Sequence, residues 1–408
     1  MNKPELLAPA GSLEKLKTAI NFGADAVYLG GSKLNLRAFA DNFGTEELKE
    51  GIKYAHSRGK KIYVTLNVFP HNEDLDGLEE YLTELYNLNV DAVIVSDPGI
   101  IMTAREVVPD LELHLSTQAN NVNYKSALFW HKTGIKRIVL ARELSLAQIK
   151  EIRDKLPESC ELEAFVHGSM CMSYSGRCLL SNYMTGRDAN RGECAQPCRY
   201  KYYLMEEKRP GEYFPVFEDE KGTYIMNSKD LCMIKHIPEV IEAGITSLKI
   251  EGRMKSSFYV ATVVKAYREA IDSYFANPEG YKYDEKWMKI LEMASHREYH
   301  TGFYFGEKNK QVYGSSAYIR TYDIIGVVKE YDSESKKAVI EQRNKVFEGD
   351  IIEVLRPVGD NFEVVLSNIR DLEGNKLEST PQAQMIYTIN TEIQLREDDL
   401  LIKFKGEL

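Results

Sequence analysis

Over roughly the first 280 residues, short apolar runs alternate with longer stretches in which apolar positions recur every three or four residues. The short runs are "ELLAPAG", "DAVYLGG", "KIYVTLNV", "DAVIVSD", "LELHLSTQA", "RIVLAR", "ELEAFVHG" and "TSLKIEGR". Their length and their branched residues predict strands. The spacing of apolar residues over Leu13–Phe22, Thr45–His56, Leu78–Leu88 and Leu146–Leu156 predicts helices between them. Glycines in "NFGADAV", "KTGIKRI" and "EAGITSL" suit the left-handed position that closes a helix before the next strand. Eight strands with crossovers predict a (β/α)8 TIM-like barrel, with a doubly wound open sheet as the alternative. Residues 182–245 read as a long irregular insertion between the last two strands.

After Tyr299 the pattern shifts to period two. "IIGVVKEYDSESKKAVIEQRNKVFEGDIIEVL" alternates around an Asp-Ser-Glu-Ser turn, and "NFEVVLSNIRD", "QMIYTINT" and "LLIKFKGEL" follow with no convincing helix between them. This predicts a small all-β barrel. The expected organisation is a TIM-like barrel with the cysteine cluster over 1–300, a linker over 301–322 and the small β-barrel over 323–408.

Alternate residues of a barrel strand face the interior. In "ELEAFVHG" the apolar Leu162, Ala164 and Val166 are expected to face the helices, which turns Glu163, Phe165 and His167 inward. The same reasoning turns Lys249, Glu251 and Arg253 inward, with His114, Ser116 and Gln118 on another strand and Tyr63, Thr65 and Asn67 on a third. Barrel interiors are ordinarily filled by branched apolar side chains, and barrel enzymes carry their chemistry at the C-terminal strand ends. His167, Glu163, Glu251, Arg253 and Lys249 are therefore the candidate catalytic residues, with Gln118 and Asn67 as substrate contacts. A structural layer of ion pairs is the competing reading, since buried charges must be paired.

Composition narrows the chemistry. The chain is 43% hydrophobic and 28% charged, as in an ordinary globular protein. No signal peptide and no membrane-length apolar run is evident, so a cytoplasmic protein with no membrane partner is expected. A net charge of −10 argues against non-specific coating of nucleic acid, which depends on neutralising phosphates. Four of the six cysteines, Cys171, Cys178, Cys194 and Cys198, fall within 28 residues. In a reducing compartment such clustering favours metal binding or catalysis over disulfides. Zinc sites commonly use close pairs, and only Cys194 and Cys198 form one; iron–sulfur clusters accept more varied spacing. The spacing points to a 4Fe-4S cluster with zinc as runner-up. Cys232 is the substitute ligand, and Cys160 reads as core filler. A His167–Cys171 nucleophile pair is a weaker reading. "HREYH" sets His296 and His300 four residues apart, but its Glu298 is misplaced for a metalloprotease helix. There is no phosphate loop, nucleophile elbow or dinucleotide fingerprint. Arg177, Arg187, Arg191, Arg199 and Lys201 are candidates for holding phosphates, and Tyr200, Tyr202 and Tyr203 for stacking a base or shielding the cysteines.

The segments "ELLAPAGS", "GADAVYLGG", "EAFVHGSMCMSYSGRCLLS", "RGECAQPCR", "NSKDLC" and "SLKIEGRMKS" together resemble the collagenase-like peptidase family of unassigned catalytic type, number thirty-two of that series. The resemblance covers nearly the whole chain, and its C-terminal part is similar to an elongation-factor-Tu-like barrel domain. It implies two activities, proteolysis and oxygen-independent hydroxylation with an iron–sulfur cluster. The length and the cysteine spacing look most like the branch that makes 5-hydroxyuridine at the tRNA wobble position with a prephenate-linked oxygen donor. That branch implies Cys171, Cys178, Cys194 and Cys198 as cluster ligands, tRNA as partner, and room for a homologous partner subunit. A collagenase-like hydrolase is the alternative, and a metal-stabilised RNA-binding protein the non-enzymatic one.

Overall fold

The computed structural model describes residues 2–35, 42–171, 175–176, 178, 180–199, 203–204, 214–215, 227–306, 311–312, 319–382 and 384–406. The expected strands pair in parallel and in chain order: β1 (Glu5–Pro9), β2 (Ala26–Gly30), β3 (Lys61–Leu66), β4 (Ala92–Val95), β5 (Leu113–Leu115), β6 (Arg137–Val139), β7 (Glu161–Ser169) and β8 (Ser247–Ile250). Because β8 pairs with both β1 and β7, the sheet is closed. That closure settles the choice between barrel and open sheet in favour of the barrel.

The crossovers are α1 (Leu13–Asn21), α2 (Thr45–His56), α3 (Leu78–Asn87), α4 (Pro98–Val107), α5 (Tyr124–Lys132), α6 (Leu146–Asp154) and α7 (Ile237–Glu242), with α8 (Ser257–Ala276) after the last strand. Side-chain oxygens of Ser12, Asp97, Asn123, Ser145 and Ser256 accept from the first-turn amides, which fixes where these helices start. The helix-facing strand residues, such as Leu6, Val27, Val64, Val93, Leu115 and Leu162, join one large apolar core with the helices. The interior divides into two halves. Leu7, Ala26, Tyr28, Tyr63, Ala92 and Ile94 of β1–β4 form a separate apolar cluster, whereas β5–β8 contribute His114, Arg137, Glu163 and Lys249.

The C-terminal unit is a seven-stranded antiparallel sheet with its own core, including Val328, Ile340, Val354, Tyr387 and Leu401. Its two edge strands, Phe362–Val365 and Ser367–Arg370, are separated in the chain by Leu366 alone, so the sheet must curl until its edges approach. This is the expected all-β, barrel-like shape. It packs on the barrel unit through Val327, Leu355 and Ile402, which join the main core. Lys265 of α8 also donates to the Gly359 carbonyl at 2.7 Å. Among the described residues, no helix is long and apolar enough to cross a membrane.

Candidate active site

The polar interior is layered along the barrel axis. At the N-terminal end, Arg137 meets Glu5 at 2.5 Å, Glu161 at 2.7 Å and Glu163 at 3.4 Å. The Tyr63 hydroxyl and the Ser247 hydroxyl donate to the Glu5 carboxylate at 2.6 and 2.9 Å. Burial, with Glu5 adding, pushes the Tyr63 phenol up, so it remains a neutral donor. One layer higher, the wholly buried Glu163 accepts from Lys249 Nζ at 2.6 Å. Burial opposes charge on Glu163, but Lys249 and Arg137 more than offset it and hold the carboxyl below its usual range. Burial pulls Lys249 down against the attraction of Glu163, so the proton shared by this pair is more weakly held than on a surface lysine.

Above Lys249 opens a cavity of about 330 Å³ at the C-terminal ends of the strands. Lys249, Phe165, Thr65, Arg253 and Glu251 line its barrel side, with Asn67 and Gln118 at the edge. Arg253 is held by Asn35 Oδ1 at 2.7 Å and Thr65 Oγ1 at 3.3 Å. Asn67 Nδ2 donates to Ser116 Oγ at 3.4 Å. The expected inward residues of β3 and β5 and of the chain from Lys249 to Arg253 are thus where alternation puts them.

The other wall comes from the chain that leaves β7. At Gly168, φ is +110° and a Cβ would lie 2.5 Å from the Glu251 carbonyl oxygen; at Gly176, φ is +74° and a Cβ would lie 2.1 Å from that of Gln118. Only glycine permits both the left-handed backbone and so close an approach to the barrel. Glu143 accepts from the Ser175 amide at 2.9 Å, and Asn190 Nδ2 donates to the Cys178 carbonyl at 3.0 Å. Arg142 donates to the Ser169 carbonyl at 2.9 Å and reaches Cys171 Sγ at 3.8 Å, its guanidinium 4.0 Å above the Phe165 ring. The Gln196 amide donates to Cys194 Sγ at 3.4 Å.

These ties bring Cys171, Cys178, Cys194 and Cys198 to the wall of one cavity. No three described His, Cys, Asp or Glu side chains gather closely enough to hold a single metal ion. Four thiolates on one zinc stand roughly 3.8 Å apart, given bonds of about 2.3 Å. A four-iron cluster carries its thiolates on separate irons and so spaces them more widely. Cys171, Cys178, Cys194 and Cys198 are therefore the residues that could hold a cofactor on this wall, with N–H donors on the sulfurs of Cys171 and Cys194.

Several expected positions differ. His167 does not line the cavity. Phe165 pairs with Lys249 but His167 pairs with Ile250, so β7 holds one extra residue there. Such a bulge flips the alternation, and His167 faces α8 instead, with the Tyr267, Tyr259 and Tyr299 rings at 5.5, 5.9 and 5.3 Å. Cys232 lies on a short strand, Asp230–Cys232, that pairs antiparallel with β7 opposite His167. It too is absent from the cavity lining, unlike Cys171, Cys178, Cys194 and Cys198. Glu163 is one layer below the cavity rather than in its lining. Arg191 pairs with Asp74 at 2.9 Å and Glu73 at 3.4 Å instead of facing the cavity, while Arg187 does line it. His296 and His300 are not on a helix: each Nδ1 meets a local backbone group, at Ala294 and Gly302. Arg177, Tyr200, Lys201 and Tyr202 lie outside the described residues, as do the side chains of Arg199 and Tyr203. Cys160 is fully buried. Arg142, Glu143, Arg137 and Glu5 were not foreseen as parts of the site.

His167 is wholly enclosed, its Nδ1 has no hydrogen-bond partner, and burial drives its pKa down to about 3, with Asp230 pulling weakly the other way. The unfolded chain takes up a proton at this histidine as pH falls below about 6.5, and the folded chain does not until about 3. Stability should therefore fall by up to about 1.4 kcal/mol per pH unit across that window. Urea unfolding of wild type and His167→Phe from pH 7 to pH 4 checks this. The variant should show the shallower slope, and equal slopes would refute the assignment.

Comparison with known proteins places these features. A family model described as peptidase family U32 matches residues 11–313, and one described as its C-terminal domain matches 320–401. The chain is 45% identical over 405 residues to tRNA hydroxylation protein P1 of Bacillus subtilis, covering 99% of this chain and 95% of that protein. It is 39% identical over 452 residues to tRNA hydroxylation protein P of Escherichia coli, covering 100% and 98%. It is also 46% identical over 384 residues to an uncharacterized protease of Methanocaldococcus jannaschii, covering 90% and 92%.

Proposed function

The chain belongs to peptidase family U32, and from that premise we propose that it is an RNA-modifying enzyme that hydroxylates the wobble uridine of tRNA to 5-hydroxyuridine. The oxygen donor in this reading is prephenate-linked, and Cys171, Cys178, Cys194 and Cys198 hold a 4Fe-4S cluster. The observation that carries it is the placement of those four cysteines on one cavity with Lys249, Arg253 and Arg142. The names of the Bacillus and Escherichia relatives support the choice of tRNA.

A bound cluster supplies one-electron redox chemistry at the cavity wall. The chain's own residues do the rest. Arg253 and Arg142 hold the carboxylate of a small donor, because guanidinium offers paired donors to that group. Asn67 and Gln118 present amides able to bond the edge of a uracil ring, and Phe165 a face on which it stacks. Lys249, with Glu163 behind it, gives or takes the proton of the reacting oxygen. Arg187 grips backbone phosphate at the cavity mouth, a local basic contact in a chain of net charge −10.

Proteolysis finds less support. A cysteine nucleophile needs a base beside it. No histidine among the described residues lines the cavity, and His167, with a pKa of about 3, lies behind the strand.

The test is nucleoside mass spectrometry of tRNA from a strain lacking every member of this family. Wild-type chain should restore 5-hydroxyuridine, and a chain with all four cysteines replaced by serine should not. Restoration by the serine variant, or none by wild type, would overturn the proposal.

A further inference from the structure

Lys249 has surroundings that proton transfer alone does not require. Its Nζ sits 4.4 Å from the Tyr28 ring centroid and 5.5 Å from that of Phe165, on the cavity side of Glu163. Arg142 covers the same Phe165 ring, and Arg253 lines the same cavity. A primary amine, a carboxylate touching it and guanidinium groups beside it make a set that captures a carbonyl next to a carboxylate: amine for the carbonyl carbon, guanidinium for the acid. Lys249 is 4% exposed between these rings, which limits the water that reaches the nitrogen. Buried lysines in such settings are the ones that form imines.

We infer that Lys249 forms an imine with a 2-oxo acid bound in this cavity. Glu163 takes one proton from the ammonium. The freed nitrogen lone pair forms the C–N bond, and the carbonyl π pair moves to oxygen, which collects the proton from Glu163. The carbinolamine then loses its oxygen as water, using one further proton from nitrogen. The iminium that remains carries the charge the ammonium had, still beside the Glu163 carboxylate. One ammonium and one oxo acid become one iminium and one water, and no oxidant or reductant is consumed. Burial, with Arg137 and Arg142 adding, eases loss of the Lys249 proton, while the depressed proton affinity of Glu163 means that it carries that proton only in passing before the substrate oxygen takes it.

This goes beyond the RNA-hydroxylation reading and does not depend on it, since imine capture needs neither RNA nor a cluster. The full chain is incubated at neutral pH with pyruvate and sodium cyanoborohydride, which reduces an imine to a stable secondary amine. Intact mass should show one reduced pyruvyl adduct per chain, and peptide mapping should place it on Lys249. Lactate should give none, Lys249→Arg should lose it, and Glu163→Gln should slow it by about a hundredfold. If Lys249→Arg does not fold, the wild-type peptide map decides. No adduct on Lys249, or the same scatter over surface lysines with and without Lys249, would overturn the inference. A chain that traps pyruvate but leaves tRNA unmodified keeps this inference and loses the hydroxylation reading; the opposite result does the reverse.

Discussion

Serine at Cys198 is expected to strip iron from the anaerobically purified protein and abolish 5-hydroxyuridine in the complemented strain, while serine at Cys232 leaves both at wild-type level. Both cysteines lie within the insertion over 182–245, and sequence spacing alone leaves either as the fourth ligand. Their environments separate them. Cys198 is partly exposed on the wall that Cys171, Cys178 and Cys194 share. Cys232 is enclosed between β7 and α8, where the Tyr267 hydroxyl approaches its Sγ at 3.9 Å. Burial pushes the Cys232 thiol up to about 12. Nucleophilic attack needs the thiolate, which such a group does not supply at neutral pH, and ligation beside the other three cysteines needs a place on the cavity wall, where Cys198 stands and Cys232 does not. Iron and sulfide assays on the two variants, with a melting curve on the same samples, measure the difference. Iron loss in Cys232→Ser with retention in Cys198→Ser would sink the cavity as the cluster's seat.

The eight barrel strands were legible because each is a short apolar run bounded by turn residues. The inward set of β3, β5 and the Lys249–Arg253 chain was legible because alternation holds there. It failed at His167 because Val166 is an extra residue in β7. That bulge is set by the pairing of β7 with β8 on one edge and with Asp230–Cys232 on the other. Nothing local to "ELEAFVHG" announces it. Arg142 and Glu143 sit at the end of a recognisable strand run, but what they hold lies 27 to 32 residues onward, at Ser169, Cys171 and Ser175. Arg137 and Glu5 are 132 residues apart in sequence, and each alone reads as a charged strand start. Arg191 was drawn toward phosphate by its basic neighbours, yet Asp74, which claims it, is 117 residues away. Period and composition reveal which face a residue takes; they do not reveal which distant partner neutralises it.

Glu163→Ala should destabilise the barrel by about 3–5 kcal/mol, because it removes one partner from a buried ion network and leaves the other charged. Lys249 is 4% exposed and Arg137 is likewise buried, so neither can recover hydration. Arg137 keeps Glu5 and Glu161, which limits its loss. Among the described residues Lys249 keeps the Tyr28 and Phe165 faces, which are worth less than a carboxylate at 2.6 Å. Most of the cost should therefore belong to Lys249. The double change Glu163→Leu with Lys249→Met should recover most of it, since two buried charges leave together and their shapes are roughly filled. The acid limb gives an independent reading. With its carboxyl held below the ordinary 4.5, Glu163 contributes stability that is present above that value and is lost as pH falls through the depressed folded value. The double variant should lack this component and lose stability less steeply below pH 4.5. Urea unfolding of the three chains at pH 7 and in this acid range provides the measurement. A single-variant loss below about 1 kcal/mol, the scale of an exposed pair, would mean that water reaches Lys249 from the cavity and that the pair behaves as a surface one.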